Sequence, residues 1–494
     1  MENKYCVRII KSEIHNFKNV INGEIRYVNY GSVNRCGELT NTDIVGIYGQ
    51  NGSGKTALIE AMDILKYIIS GKAVPFDMYE GILGSERMTK LVTEFFIEHD
   101  NDRYKAVYEV DLGVDSENKG IQIKNEKLNY WTRGADWKAE RCVEFENPYY
   151  NSVDLFSNLK LSVTSKNVKL LQNVEFLANM QNLALICSQK YISVFFNSLV
   201  KDSVENSDSD KETQAFMDVI KGIMKFGWVD LRVIKVNQLG SINNSQTIPI
   251  NVHRETNSMI MQGLIHLHIV GVSEIPEIYY NQVEHAINAI NIAMRAIVPN
   301  LQIELEKKSE IEKKDGTKVI QADVYSNRNG KRFLIRYESE GIKRIISILN
   351  YLISVYNDKG VCLVIDELDS GIFEYLLGEL LGVLHREMKG QLIFTSHNLR
   401  ILEKLDSKNI VCSTINPENR YIRLTGIEKN HNKRDFYIRT LTVGGQSEEL
   451  YDEDDLIAMG YAFRKAGGAD NSKVKLTFSP EFEEKLREEE KRGK

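Results

Sequence analysis

The stretch Gly49-Gln50-Asn51-Gly52-Ser53-Gly54-Lys55-Thr56 constrains this chain more than any other. It is a complete Gly-x-x-x-x-Gly-Lys-Thr loop in the context such a loop requires. Before it, Ile44-Val45-Gly46-Ile47-Tyr48 reads as a buried strand; after it, Ala57-Leu58-Ile59-Glu60-Ala61-Met62 opens a helix. The glycines let the backbone curl until its N–H groups converge, and the helix N-terminus adds partial positive charge. Such a loop cradles a triphosphate. Gly49, Asn51, Gly52, Ser53 and Gly54 form the cradle, Lys55 reaches the β- and γ-phosphates, and Thr56 offers its hydroxyl to Mg²⁺.

The bulk properties exclude several classes. The chain has 494 residues, enough for about two or three compact units. A net charge of −6 gives no case for wholesale nucleic-acid binding, although a local basic face stays open. The six cysteines lie scattered without CxxC pairs, which suits reduced thiols in a cytosol better than a disulfide framework or a zinc site. Charged residues interrupt the N-terminus, so no signal peptide is read there. No run approaches the ~18 apolar residues of a membrane span. A cytoplasmic protein without membrane contact is expected.

Four segments are expected. Residues 1–150 form the N-terminal half of a nucleotide-binding domain, with strands at 5–29, 91–98, 104–112 and 121–131. Residues 151–298 have helical periodicity at Val174–Cys187, Ile192–Val200, Lys211–Phe226 and Tyr280–Ile297, and read as an inserted helical lobe. Residues 299–430 return to strands and then alternate helix with strand. Residues 431–494 are a C-terminal extension that ends in a charge-dense tail.

Three motifs in the third segment carry chemistry. Val361-Cys362-Leu363-Val364-Ile365 is an apolar strand ending in Asp366-Glu367. Asp366 is placed to hold Mg²⁺, and Glu367 to polarise the attacking water as general base. One helix and strand later, Leu392-Ile393-Phe394-Thr395 ends in Ser396-His397, so the two strand ends should lie side by side. His397 could then hydrogen-bond the γ-phosphate. Before both, Ser339-Glu340-Gly341-Ile342-Lys343-Arg344 opens a helix, where Ser339 and Gly341 make a second anion site.

Taken in order, the phosphate loop, Ser339-x-Gly341, the acid pair, Asp369 and Ser396-His397 resemble an ATP-binding-cassette head. The resemblance covers roughly residues 5–150 and 300–415. It implies an α/β P-loop NTPase of that head type, a mixed sheet with the helical lobe inserted, and ATP and Mg²⁺ as cofactors. It also implies a homodimer or higher oligomer that sandwiches ATP, with Gly49–Thr56 of one protomer facing Ser339 and Gly341 of the other. With Glu340 where a glycine is usual, the signature is similar to that of the AbiL/RloA-like, Septu and PARIS ATPases, many of them encoded in anti-phage defence operons. Ile14-His15-Asn16-Phe17-Lys18-Asn19 resembles the opening of SMC and RecF-type heads. For the glutamine that such heads place near Mg²⁺, the one residue weighed is Gln122.

Three functions compete. The first is a Mg²⁺-dependent ATPase acting as the sensor or regulatory subunit of a defence system, with a separate nuclease or toxin as effector. The second is a DNA-repair or DNA-organising head of RecF/SMC type, against which stand the acidic balance and the absence of a long heptad repeat. A transporter subunit is the least favoured. The contiguous acidic run Glu448–Asp455 reads as a solvated loop, since a nuclease needs carboxylates converging from separate strands. Lys160, Lys166 and Lys169, and Lys429, Lys433 and Arg434, are the places where a nucleic-acid face is left open.

Overall fold

The apolar runs assemble into one six-stranded sheet, in the order Tyr421–Ile422, Ile410–Ser413, Asp43–Tyr48, Gln391–Thr395, Cys362–Ile365, Leu231–Ile234. All neighbours are parallel except the edge strand Tyr421–Ile422. The structure, a computed structural model, describes residues 5–40, 42–81, 83, 88–133, 141–146, 161–163, 174–197, 211–235, 247–256, 259–314, 316–427, 432–451 and 456–466. Two compact units are distinguished, Met1–Leu450 and Tyr451–Lys494; the first holds everything discussed below, and the described part of the second contains the helix Leu456–Ala466.

The parallel sheet separates two apolar cores. Successive side chains of a strand point to opposite faces, so Val45, Ile47, Cys362, Val364 and Ile393 enter one core, and Ile44, Tyr48, Leu363, Ile365, Leu392 and Phe394 the other. That explains why these strands read as continuous apolar runs without alternation. In the first core the sheet meets helix Lys55–Ile69 and a seven-stranded antiparallel sheet, ordered Val20–Arg26, Cys6–Phe17, Thr89–His99, Asp102–Asp115, Gly120–Thr132, Arg141–Glu146, Leu161–Val163. In the second it meets helices Tyr280–Ile297, Glu340–Asn357 and Glu374–Glu387, together with strands of a four-stranded sheet.

Buried Gln391 ties the two large sheets together. Its Nε2 donates to the Ile9 carbonyl at 2.7 Å and to Asp43 Oδ2 at 2.8 Å, and its Oε1 accepts from the Ile9 N–H at 3.2 Å. Asn29 Nδ2 donates to the same Asp43 oxygen at 3.0 Å. The first strand of the antiparallel sheet is thereby fixed against the root of the phosphate-loop strand.

The mixed α/β architecture agrees with the sequence reading, but segment 151–298 differs from the helical lobe expected. Helices Val174–Gln189, Lys211–Lys225 and Tyr280–Ile297 are present, alongside strands Leu231–Ile234, Thr247–Thr256, Met259–His268 and Ser273–Pro276. Leu231–Ile234 pairs with Cys362–Ile365 and so belongs to the central sheet. The helix expected from Ile192 is absent over its described part, Ile192–Asn197. There the Ser193 hydroxyl accepts from the Phe195 and Phe196 N–H groups, and Glu126 accepts from Ser193 Oγ and the Val194 N–H. Local side-chain bonds of this kind compete with helix formation. Lys160, Lys166, Lys169, Lys429, Asp315, the loop 202–210, the 452–455 part of the acidic run and the tail 481–494 lie outside the described residues. Among the described residues no helix is long and apolar enough to cross a membrane.

Gln391→Leu keeps the volume but leaves Asp43 and both Ile9 backbone groups short of a partner. It should cost about 2–4 kcal/mol, read as a lower thermal midpoint by scanning fluorimetry. An unchanged midpoint would show that the network does not hold the sheets.

Candidate nucleotide site

Three neighbouring strands end at the same edge of the sheet, and each delivers one motif. The Asp43–Tyr48 strand runs into the phosphate loop, Gln391–Thr395 beside it leads to Ser396-His397, and Cys362–Ile365 next along leads to Asp366-Glu367. Ligands of open parallel sheets bind at such carboxyl ends.

The loop's conformation requires its glycines. Gly49, Gly52 and Gly54 have φ of 151°, 78° and 89°, values that side chains resist. A Cβ on Gly49 would lie 2.0 Å from Ser413 Oγ and 2.9 Å from the Ser413 carbonyl oxygen. Side chains distant in sequence brace the loop. Tyr421 donates its hydroxyl to the Gly54 carbonyl at 2.7 Å, Asn19 donates to the Gly52 carbonyl, and Arg420 donates to the carbonyls of Asn19 and Thr414. Lys18, in the turn after the first strand, pairs with Glu60 of the loop helix. That helix begins at Lys55 with no side-chain cap, so its first N–H groups are available to an anion.

Lys55 is buried and folds back on the loop. Its Nζ donates to the carbonyls of Gly49 at 2.9 Å and Gln50 at 2.8 Å. Desolvation lowers its pKa, opposed by the nearby charges of Asp366, Glu367 and Asp369.

Thr395, which the sequence reading passed over, organises the acid pair. Its hydroxyl donates to Asp366 Oδ1 at 2.5 Å and accepts from the Glu367 N–H at 2.7 Å. The other oxygen of buried Asp366, Oδ2, has no hydrogen-bond partner. Glu367 has a φ of 47°, in the left-handed region that costs a non-glycine residue about 1–2 kcal/mol. Asp369 accepts from the His397 N–H at 3.2 and 3.4 Å. Desolvation first, then the Lys55 ammonium, hold the His397 imidazole below its ordinary pKa against the pull of Asp369, Glu367 and Asp366. The neutral imidazole is thereby favoured.

Ser339 lies at the start of helix Glu340–Asn357, where its hydroxyl accepts from the Ile342 N–H at 3.4 Å. Glu338 before it is anchored through Ser326 at 2.5 Å and Arg328 at 3.1 Å. No hydrogen bond or ion pair among the described residues joins Ser339 or Gly341 to the phosphate loop of the same chain. Gln122 lies on the Gly120–Thr132 strand of the antiparallel sheet and accepts from Lys124 at 2.6 Å, so it is not on the sheet that carries the loop. Beyond Thr395, the sequence reading also missed Lys235, which continues the Leu231–Ile234 strand and pairs with Asp63 of the loop helix at 2.7 Å. A polar residue at the last position of a buried strand was the only local signal for Thr395.

The described residues contain no group of three or more His, Cys, Asp or Glu that could hold a metal. Mg²⁺ bound with a nucleotide needs no such group, since one or two protein oxygens suffice beside phosphates and water. Thr56 and the unpartnered Asp366 Oδ2 are hard oxygen donors of that kind.

Residues 13–328, well over half of the chain, match the family model described as AAA domain. No curated protein matches the chain in sequence. Among solved structures it is similar to the SMC head domain from Thermotoga maritima, at 12% identity and a TM-score of 0.34, covering 86% of this chain and 100% of that one. An Smc head domain with a coiled coil and joint derived from Pyrococcus yayanosii gives 11%, 0.39, 88% and 100%. The recombination mediator protein RecF-ATPrS in the RecFOR pathway gives 12%, 0.34, 86% and 100%. The fold stands on the sheet order and the family match.

Thr395→Val removes both bonds of the hydroxyl at nearly constant volume. Nucleotide turnover should fall about 10–100-fold with nucleotide affinity within about twofold of wild type. Turnover like that of the wild type would mean that Asp366 and Glu367 do not depend on Thr395.

Proposed function

From the premise that the chain belongs to the AAA domain family, we propose that it binds and hydrolyses ATP with Mg²⁺, dimerises around the nucleotide, and regulates a separate effector in prokaryotic anti-phage defence. The observation that carries the enzymatic part is the delivery of Lys55, Asp366, Glu367 and His397 by three adjacent strand ends.

The loop N–H groups and the uncapped start of helix Lys55–Ile69 bind the phosphates. Lys55 exchanges its bonds to the Gly49 and Gln50 carbonyls for phosphate oxygens, which repays its desolvation. Thr56 and Asp366 would hold the cation, which when bound would supply charge neutralisation to the phosphates. Glu367 orients the attacking water and accepts its proton. Neutral His397 hydrogen-bonds the γ-phosphate without adding a charge. Ser339 and Gly341 complete the site of a second protomer, consistent with the lack, among the described residues, of a hydrogen bond or ion pair from them to their own loop.

The regulatory role rests on the resemblance of Ser339-Glu340-Gly341-Ile342-Lys343-Arg344 to defence-linked ATPases. A RecF/SMC-like role in DNA repair uses the same ATPase chemistry and is favoured by the Asn16-Phe17-Lys18 opening, although Lys18 is engaged with Glu60.

Lys55→Ala should abolish nucleotide binding in a fluorescent-nucleotide titration, and unchanged affinity would end the nucleotide reading. Glu367→Gln should bind ATP while turning it over about 10²-fold or more slowly, and light scattering should find it as a dimer. Turnover at the wild-type rate would remove Glu367 as the base. Recovered from its native cells with ATP and Mg²⁺, the same variant should carry a nuclease or toxin. DNA alone, released by salt, would favour repair.

A further inference from the structure

Arg344 is a conspicuous unused group among the described residues. It is 2% exposed, and its Nε, Nη1 and Nη2 are all buried without a hydrogen-bond partner. An arginine cannot shed its charge as a buried lysine can. Burial pushes it down only to about 10, against the charges of Asp369 first and Glu367 second. A buried guanidinium without hydrogen bonds is costly even with carboxylates nearby, so a state that provides a direct partner gains much of that cost back.

The surrounding geometry identifies the partner. A Cβ on Gly341 would lie 2.8 Å from the Gly371 carbonyl oxygen, so the first turn of helix Glu340–Asn357 presses directly on the turn after the acid pair. Arg344 follows Gly341 by three residues and shares its side of the helix. The acid turn holds two left-handed residues, Glu367 at 47° and Gly371 at 75°. Its Asp369 carboxylate is held by one N–H, that of His397, through long bonds of 3.2 and 3.4 Å. A small movement of this turn would exchange those bonds for a charge-assisted pair with a guanidinium, which is stronger.

We propose that Arg344 is a positioning residue for hydrolysis, pairing with Asp369 when nucleotide fills the site and thereby locking the acid turn, with Glu367 on it, to the signature helix. The inference rests on the ATPase reading above. It makes the helix that carries Ser339 and Gly341 and the residue that activates water parts of one movement within a protomer.

The test is a double-mutant cycle on the full chain with Arg344→Met, Asp369→Asn and the pair, plus Arg344→Lys. Because no guanidinium nitrogen has a hydrogen-bond partner, Arg344→Met should keep or raise the thermal midpoint of the nucleotide-free protein. A purely structural arginine would lower it. Each single variant should lose tenfold or more in kcat with ATP affinity within twofold of wild type, the pair should lose no more than either single, and Arg344→Lys should recover part of the loss. In hydrogen exchange, ATP should protect amides 366–372 of Glu367→Gln, and Arg344→Met should abolish that protection. A multiplicative loss in the pair, wild-type kcat in Arg344→Met, or loss of ATP affinity there would each overturn the pairing, the last by making Arg344 a direct nucleotide contact. Wild-type protein that binds no ATP would overturn the ATPase reading together with this inference, whereas ATP turnover with an additive cycle overturns the inference alone.

Discussion

A parallel sheet covered on both faces leaves its strand ends as the places where polar chemistry is affordable, and this protein is organised around that limit. The interiors of strands Asp43–Tyr48, Cys362–Ile365 and Gln391–Thr395 are buried throughout. A charge there would face an apolar core on either side. Within one or two residues of each strand end come the loop, the acid pair and the histidine. The grouping of the site follows from strand order.

Polar residues inside the protein accordingly hold the strand ends in place. At one end of the Gln391–Thr395 strand, Gln391 joins Ile9 and Asp43 across two sheets; at the other, Thr395 joins Asp366 to the backbone of Glu367. The central strand of the site thus begins and ends in a hydrogen-bonded side chain, while its middle is apolar. The phosphate loop is treated similarly, with Tyr421, Arg420 and Asn19 approaching it from both ends of the chain. Such bracing suits a loop whose glycines would otherwise sample many conformations.

The site holds strain and unspent charge. Glu367 is left-handed, Lys55 is turned inward onto carbonyls, one oxygen of Asp366 is unpartnered, and Arg344 has no partner on any guanidinium nitrogen. In the proposed mechanism each of these costs would be relieved by a phosphate, a cation or a shift of the acid turn. A common ligand that relieves several costs at once couples the groups that bear them.

Read by itself, the sequence determined the elements whose causes are local. The phosphate loop was legible because positive φ demands glycine at fixed spacing, and the buried strands because five apolar residues in a row leave few alternatives. Asp366-Glu367 and Ser396-His397 were legible because they end such strands. Tertiary structure decided the rest. Leu231–Ile234 is four residues long and interrupted by Arg232, and only pairing with Cys362–Ile365, distant in the chain, makes it a strand of the central sheet. Ile192–Asn197 has apolar spacing that suits a helix, yet buried Glu126 and Ser193 take its N–H groups. The importance of Thr395 and Arg344 depends on what lies opposite them, a non-local property set by parallel pairing and helix packing.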